Sequence, residues 1–153
     1  MKKEIKAAGV LFTDGKSVLV LKRAGEGKNI GTWGLPGGKA KDSETEMETA
    51  HRETREETGL DAIPGQKFDT ISNDGDAKNA MFTAFFYRVS EPFDIEISKE
   101  HSDWKWMPIT DLKSEKLHPK FRENLTRYLT SIRRKITSFS EWSKITTTIN
   151  ELQ

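Results

Sequence analysis

Gly-Lys-Ala-Lys-Asp-Ser-Glu-Thr-Glu-Met-Glu-Thr-Ala-His-Arg-Glu-Thr-Arg-Glu-Glu-Thr-Gly-Leu, residues 38 to 60, is at once a helix and a crowd of carboxylates. Ser43 with Glu46 three residues later reads as a capping box, and Gly59 as a left-handed C-terminal cap, so the spacing predicts a helix from about Glu44 to Thr58. On that helix Glu53 and Glu57 lie one turn apart and Glu56 lies beside them. Like charges at this spacing repel by several tenths of a kcal/mol per pair, and a hard divalent cation removes the repulsion. Mg²⁺ or Mn²⁺ suits an all-oxygen donor set and keeps waters that phosphates can displace. Met47, Ala50 and Thr54 recur at helical spacing opposite the acidic stripe, which predicts that they pack on a sheet and hold the metal face outward. Upstream, Gly34-Leu35-Pro36-Gly37-Gly38 is a rigid turn that lets backbone approach an ion or phosphate closely, with its carbonyls available to complete the coordination.

The remainder of the chain fits a compact enzyme. At 153 residues the sequence is read as a single domain spanning 1–153, large enough to bury a core. Lys plus Arg is 25 against 24 for Asp plus Glu, so no global field argues for nucleic acid or membrane binding, and partners are recognised locally. Cysteine is absent, which excludes disulfides and thiol catalysis. No segment is long enough for a membrane span, and the short apolar run Ala7 to Phe12, flanked by Glu4 and Asp14, argues against a signal peptide; a cytoplasmic location is expected.

Ile5 to Phe12 and Ser17 to Leu21 are apolar and β-rich around Asp14-Gly15, which predicts a hairpin. Residues 24 to 34, with four glycines, read as a loop. Residues 62 to 71 and 79 to 90 read as strands around the polar turn Ser72-Asn73-Asp74-Gly75-Asp76, with Met81 to Tyr87 central and buried on both faces. Trp104 to Met107 makes a further short strand and Pro108 to Leu112 a helical turn. A helical extension from about residue 118 opens at His118-Pro119, with Phe121, Leu125, Tyr128, Leu129 and Ile132 as its apolar stripe. From about Ser138, Trp142, Ile145, Ile149 and Leu152 suggest an amphipathic helix that covers the core or a homodimer partner. Strands interrupted by one helix and finished by others imply an α/β sandwich.

Residues 38 to 60 resemble the Nudix box, G-x5-E-x7-R-E-U-x-E-E-x-G-U with U a bulky aliphatic residue. Every fixed letter is met, and Thr54 alone departs, standing where Ile, Leu or Val is usual. Gly31 to Gly38, Val18 to Arg23 and Glu100 to Trp106 look like the family's flanking elements, so the resemblance spans roughly residues 5 to 112. It implies a Nudix-type α/β/α sandwich with a mixed sheet and the box helix packed on it. It also implies metal-dependent hydrolysis of a pyrophosphate bond in a nucleoside diphosphate linked to another moiety: a nucleoside triphosphate, nucleotide sugar or dinucleoside polyphosphate. The opposing class is a Nudix-fold domain that senses a nucleotide without turnover; intact Glu53, Glu56 and Glu57 argue against it.

By the same resemblance, Glu53, Glu56, Glu57 and the Gly38 carbonyl hold the metal, and Arg52 orients Glu44 and the ligands. Family members take the proton from water with a residue of the box, here Glu56, or of the loop before the penultimate strand. That loop offers Glu100, His101 and Asp103, with Glu100 the first choice and His101 expected to be a hydrogen-bonding residue. Arg23 is a candidate phosphate contact, and Trp33, Phe86 and Trp104 are candidate base-stacking residues. Ser98 to Trp106 is similar to a Ser-x-Glu-His-x-x-aromatic-x-Trp run of nucleotide and dinucleoside polyphosphate hydrolases. RNA decapping is disfavoured, because no basic stripe with interleaved aromatics is present.

Overall fold

A computed structural model describes residues 6–74, 81–136 and 138–153. Ile5, Asn79, Ala80 and the part of the expected polar turn from Gly75 onward lie outside the described residues. The strands are β1 (Lys6–Thr13), β2 (Ser17–Arg23), β3 (Trp33–Gly34), β4 (Gly37–Lys39), β5 (Gln66–Ser72), β6 (Met81–Arg88) and β7 (His101–Pro108). The helices are α1 (Glu46–Thr58), α2 (Pro119–Ile136) and α3 (Phe139–Leu152), with a 3-10 turn at Ile109–Ser114. Among the described residues these strands form one mixed sheet, ordered β3-β2-β1-β6-β5, with β4 added to β1 and β7 to β2.

Side chains alternate cleanly between the two faces of that sheet, as a pleated strand requires. Leu11, Val18, Val20, Ala84 and Phe86 point into a core closed by Phe121, Leu125, Tyr128 and Ile132 of α2 and by Ile145 and Ile149 of α3. Val10, Phe12, Leu19, Leu21, Phe85 and Tyr87 point the other way, where Ala50 of α1 closes a second core. Helices therefore cover both faces of a mixed sheet, as expected. Strand β6, parallel to β1 and antiparallel to β5, is buried continuously from Thr83 to Tyr87.

The expected hairpin of β1 and β2 forms, antiparallel around Asp14-Gly15, but it is short. The two strands share only the Thr13–Val18 pair, because β4 takes up the other end of the same β1 edge, with Ala7 opposite Lys39 and Gly9 opposite Gly37. Strand β2 pairs instead with β7 along nearly its whole length. The sheet thus splits, and the glycines of β4 enter the split. Strand β7 is also longer than the Trp104–Met107 expectation, since it begins at His101.

Two features of the box helix differ from expectation. Its N-cap is Thr45, whose side chain accepts from the Glu48 N–H at 3.1 Å while Glu48 returns a bond to the Thr45 N–H, so the capping box lies two residues after Ser43. Ser43 has a left-handed φ of 68° and belongs to the preceding turn. The C-cap is Gly59 at φ 72°, as expected. The acidic stripe also does not face wholly outward. Glu57 is seven residues, two helical turns, after Ala50, so it continues the buried stripe of Ala50 and Thr54 and is only 5% exposed.

Helix α3 packs on α2 and the 3-10 turn, where Lys113 pairs with Glu151, and this favours the first of its two expected roles, covering the core. No described helix is long and apolar enough to cross a membrane. Thr54 stands on the buried stripe with its hydroxyl unpaired. A buried polar group without a partner costs about 1–3 kcal/mol, whereas valine fills nearly the same volume. Thr54→Val should therefore raise stability by about 1 kcal/mol, read as a melting-temperature rise of about 2–4 °C. A fall would mean that the hydroxyl has a stabilising partner.

Candidate active site at the box helix

The turn Gly34 to Gly38 brings β4 alongside the C-terminal half of α1. There the Gly37 N–H donates to Glu57 Oε1 at 2.8 Å. Glycine is needed at two positions for different reasons. A methyl group on Gly37 would lie 2.6 Å from the Ala8 carbonyl oxygen, and one on Gly38 would lie 2.5 Å from the Glu53 carboxylate carbon. Gly37 thus admits β4 to the sheet, while Gly38 leaves room for the Glu53 carboxylate.

Arg52 organises the acidic side chains. Its Nε and Nη2 grip Glu44 at 2.7 and 2.9 Å, Nη1 reaches Glu53 at 2.9 Å and Glu56 at 3.4 Å, and Nη2 also donates to the Lys39 carbonyl at 3.1 Å. Glu44 is itself fixed by the Lys41 N–H at 2.7 Å and the Thr49 hydroxyl at 3.1 Å. The Arg52 hydrogen bonds, followed by the Lys41 amide, hold the Glu44 carboxyl down at about 2. One guanidinium therefore anchors the loop before α1, β4 and the exposed acidic edge of α1 together.

Glu57 is treated differently by its surroundings. Burial pushes its carboxyl up to about 9 against the pull of the Gly37 amide, with Glu53 and Glu100 adding repulsion and Glu100 a hydrogen bond to the neutral form. Half-buried Glu53 is also raised, first by desolvation, with Glu56 and Glu100 contributing and Arg52 opposing. Glu100 therefore faces both Glu53 and Glu57. It sits at the turn before β7, exposed, with its carbonyl accepting from the Ala24 N–H at 2.8 Å and its own N–H reaching Ser98 Oγ at 3.3 Å.

The carboxylates of Glu53, Glu57 and Glu100, together with the carbonyls of β4, make an all-oxygen donor set that suits a hard divalent ion. Among the described residues no three acidic or imidazole side chains are drawn close enough to hold an ion as they stand, since Arg52 engages Glu53 and Glu56. The fit rests on Glu57: its carboxylate is buried, accepts one backbone hydrogen bond and has no cationic side-chain partner among the described residues. A cation beside it would remove both penalties that raise its pKa.

Other expected site residues are placed elsewhere. Phe86 is fully buried between Phe68 and Tyr128 and has no free face, so it is withdrawn as a stacking residue. Trp33 is 7% exposed in the α2-side core, with Lys105 Nζ 4.8 Å and Lys22 Nζ 5.8 Å from its ring centre, and it is withdrawn for the same reason. Trp104 is half-buried on the α1 side. Asp103 and His101 belong to β7, not to a loop, and Asp103 pairs with Lys22 on the face away from α1, because Leu21 and Trp104 occupy the α1 face. His101 is half-buried with Nδ1 unpaired, and its pKa is lowered by burial while Glu100 opposes. Arg23 is exposed at the end of β2, opposite His101. The residues that sequence reasoning missed act through their backbones. The Gly37 N–H and the Lys39 carbonyl hold Glu57 and Arg52, and no side-chain pattern encodes them.

A NUDIX domain model matches residues 3–129. The chain belongs to the Nudix family. It is 31% identical over 134 residues to the putative 8-oxo-dGTP diphosphatase 3 of Mycobacterium tuberculosis, covering 82% of this chain and 62% of that protein. It is 28% identical over 83 residues to an asymmetrical bis(5'-nucleosyl)-tetraphosphatase of Caenorhabditis elegans, covering 52% and 60%. Among solved structures it is similar to RenU, a Nudix hydrolase from M. smegmatis, with 26% identity and a TM-score of 0.67 over 80% of this chain and 82% of that one. The chain thus spans less than two thirds of the two curated relatives, and α3 lies beyond the family match.

Within this Nudix site the two glycines should separate by experiment. Gly37→Ala should lower the melting temperature, because its methyl meets backbone that cannot move away. Gly38→Ala meets only the mobile end of Glu53, so it should leave the melting temperature within about 2 °C while raising the Mn²⁺ concentration for half-maximal binding about tenfold. A second test uses pH. A carboxyl whose folded pKa is about 9, against an ordinary 4.5, binds more protons when folded, so stability falls as pH rises between those values. In chelator, the melting temperature should decline from pH 5 to 9, and Glu57→Gln should flatten the decline; an equal decline in both proteins would remove Glu57 as its source.

Proposed function

We propose that this chain hydrolyses a pyrophosphate bond in a nucleoside diphosphate joined to a further moiety, using Mg²⁺ or Mn²⁺. The candidate substrates are a nucleoside triphosphate, a nucleotide sugar and a dinucleoside polyphosphate. The observation that carries the reading is the burial of Glu57 beside Glu53 and Glu100, with the Gly37 amide as its donor and, among the described residues, no cationic side chain to neutralise it. Such a site is costly in a domain that only needs to fold, and it is useful in one that recruits a cation to phosphates. The names of the diphosphatase and tetraphosphatase relatives support the reaction class.

Glu53, Glu56, Glu57 and the Gly38 carbonyl would hold the metal. When bound, the ion supplies charge neutralisation for the diphosphate and a lowered pKa for a coordinated water. Arg52 is a positioning residue, because its donors are taken up by Glu44, Glu53, Glu56 and Lys39 and none is left for substrate. Glu100 is the base of choice. It is exposed, its carboxylate faces Glu53 and Glu57, and its turn is held through the Ala24 and Ser98 contacts of its backbone, which places it to take the proton of the attacking water. Arg23 at the end of β2 is available for a phosphate oxygen.

The reading is checked by assaying nucleoside triphosphates including 8-oxo-dGTP, nucleotide sugars, ADP-ribose and dinucleoside polyphosphates with Mg²⁺ and with Mn²⁺. One or more should be cleaved, and chelator should abolish the reaction. Glu57→Gln should cost at least about 10²-fold, and Glu100→Gln should lower kcat by about 10²-fold or more with the metal requirement little changed. Glu56→Gln should instead raise the metal requirement. Nucleotide binding without turnover across the panel would replace this reading with a sensing role, and undiminished kcat in Glu100→Gln would move the base elsewhere.

A further inference from the structure

On the sheet face away from α1, a cleft of about 450 Å³ opens between β5 and α2, lined in part by Asp69, Arg127, Thr130, Ser131, Arg134 and Lys135. Its size falls in the range of small-ligand sites, about 300–1,000 Å³. Arg127 and Arg134 are two helical turns apart on α2, so both guanidinium stems leave the same stripe, with Thr130 between them. Asp69 is the cleft's acid, and its charge is already taken up: it accepts from the Ser131 hydroxyl, from the Thr70 N–H at 2.8 Å and from Lys135 at 3.3 Å.

The two arginines are left over. Arg127 donates only to neutral oxygens, the Ser72 carbonyl and Asn124 Oδ1, both at a long 3.3 Å. Arg134 is exposed, and among the described residues its side chain makes no ion pair and no hydrogen bond. This contrasts with Arg52, which holds three carboxylates. The cleft is lined by three cations, Arg127, Arg134 and Lys135, against the single acid Asp69, which is a local surplus of positive charge. Guanidinium forks match phosphate oxygens in bidentate geometry, and an exposed helix face alone would not place them over a cleft.

We propose that this cleft is a second anion site, binding the phosphoryl group of a small phosphorylated molecule between Arg127 and Arg134. It stands apart from the hydrolytic reading, because the sheet separates it from Glu53 and Glu57. The probe is inorganic pyrophosphate in the presence of EDTA, where the acidic centre has no metal to attract it, at constant ionic strength. Pyrophosphate at about ten times its Kd should raise the melting temperature of the whole chain by about 3 °C. The rise should persist in Glu57→Gln and disappear in the Arg127→Gln, Arg134→Gln double variant. Thr130→Glu, which places a carboxylate between the two arginines, should abolish it as well and serves if the double variant does not fold. The same rise from sodium chloride of matched ionic strength, a rise kept in these cleft variants, or no rise in the wild-type chain would overturn the proposal. So would a rise lost in Glu57→Gln, which would place the anion at the acidic centre.

Discussion

The hydrogen bond from the Gly37 amide to the Glu57 carboxylate joins the two elements that make this site, and most of the local architecture is arranged so that it can form. For the amide to reach α1, β4 must lie against β1, which requires a residue without a side chain at Gly37. That contact occupies the edge of β1 that β2 would otherwise use, so β2 turns to β7. The bond also holds Glu57 in a place where a carboxylate is poorly solvated. Its elevated pKa, caused chiefly by burial, expresses the tension between folding and charge.

Around that buried acid the remaining charges are sorted by their partners and their burial. Glu44, in direct contact with Arg52, stays ionised far below neutral pH, whereas Glu53 and Glu57 are driven toward the neutral form by desolvation and mutual repulsion. Arg52 thus serves as scaffold and as a local screen. It offsets the repulsion along the exposed edge of α1 but makes no contact with Glu57. The division of labour leaves one buried carboxyl facing β4, with Glu100 near it on a turn held by Ala24, the residue after β2.

Much of this was legible in the sequence. Helix periodicity grouped Glu53, Glu56 and Glu57, because it relates residues three and four apart without reference to the rest of the chain, and the resemblance to the Nudix box added Arg52 and the Gly38 carbonyl. Gly59 as the C-cap, the buried β6 and the apolar stripe of α2 followed from equally local rules. The errors came where local rules compete. Ser43 and Thr45 are both capping residues with a glutamate three positions on, and the left-handed backbone at Ser43 decides between them. Trp33 and Phe86 were candidates for stacking although large aromatics in a small domain are more often core, and their neighbours assign them to the core.

The sequence by itself determined the chemistry: which oxygens are available, on which helix, and in what order along its turns. Tertiary structure decided which of them are dry. Burial depends on what packs against a helix face, and the partners of α1 come from β1, β4, β6 and the segment before β7, far apart in the chain. Glu57 differs from Glu56 by one residue in sequence, yet the 100° rotation between them puts one against a glycine amide and the other in solvent. No local pattern specifies the Gly37 amide or the Lys39 carbonyl, because every residue carries those groups and only the fold aims them.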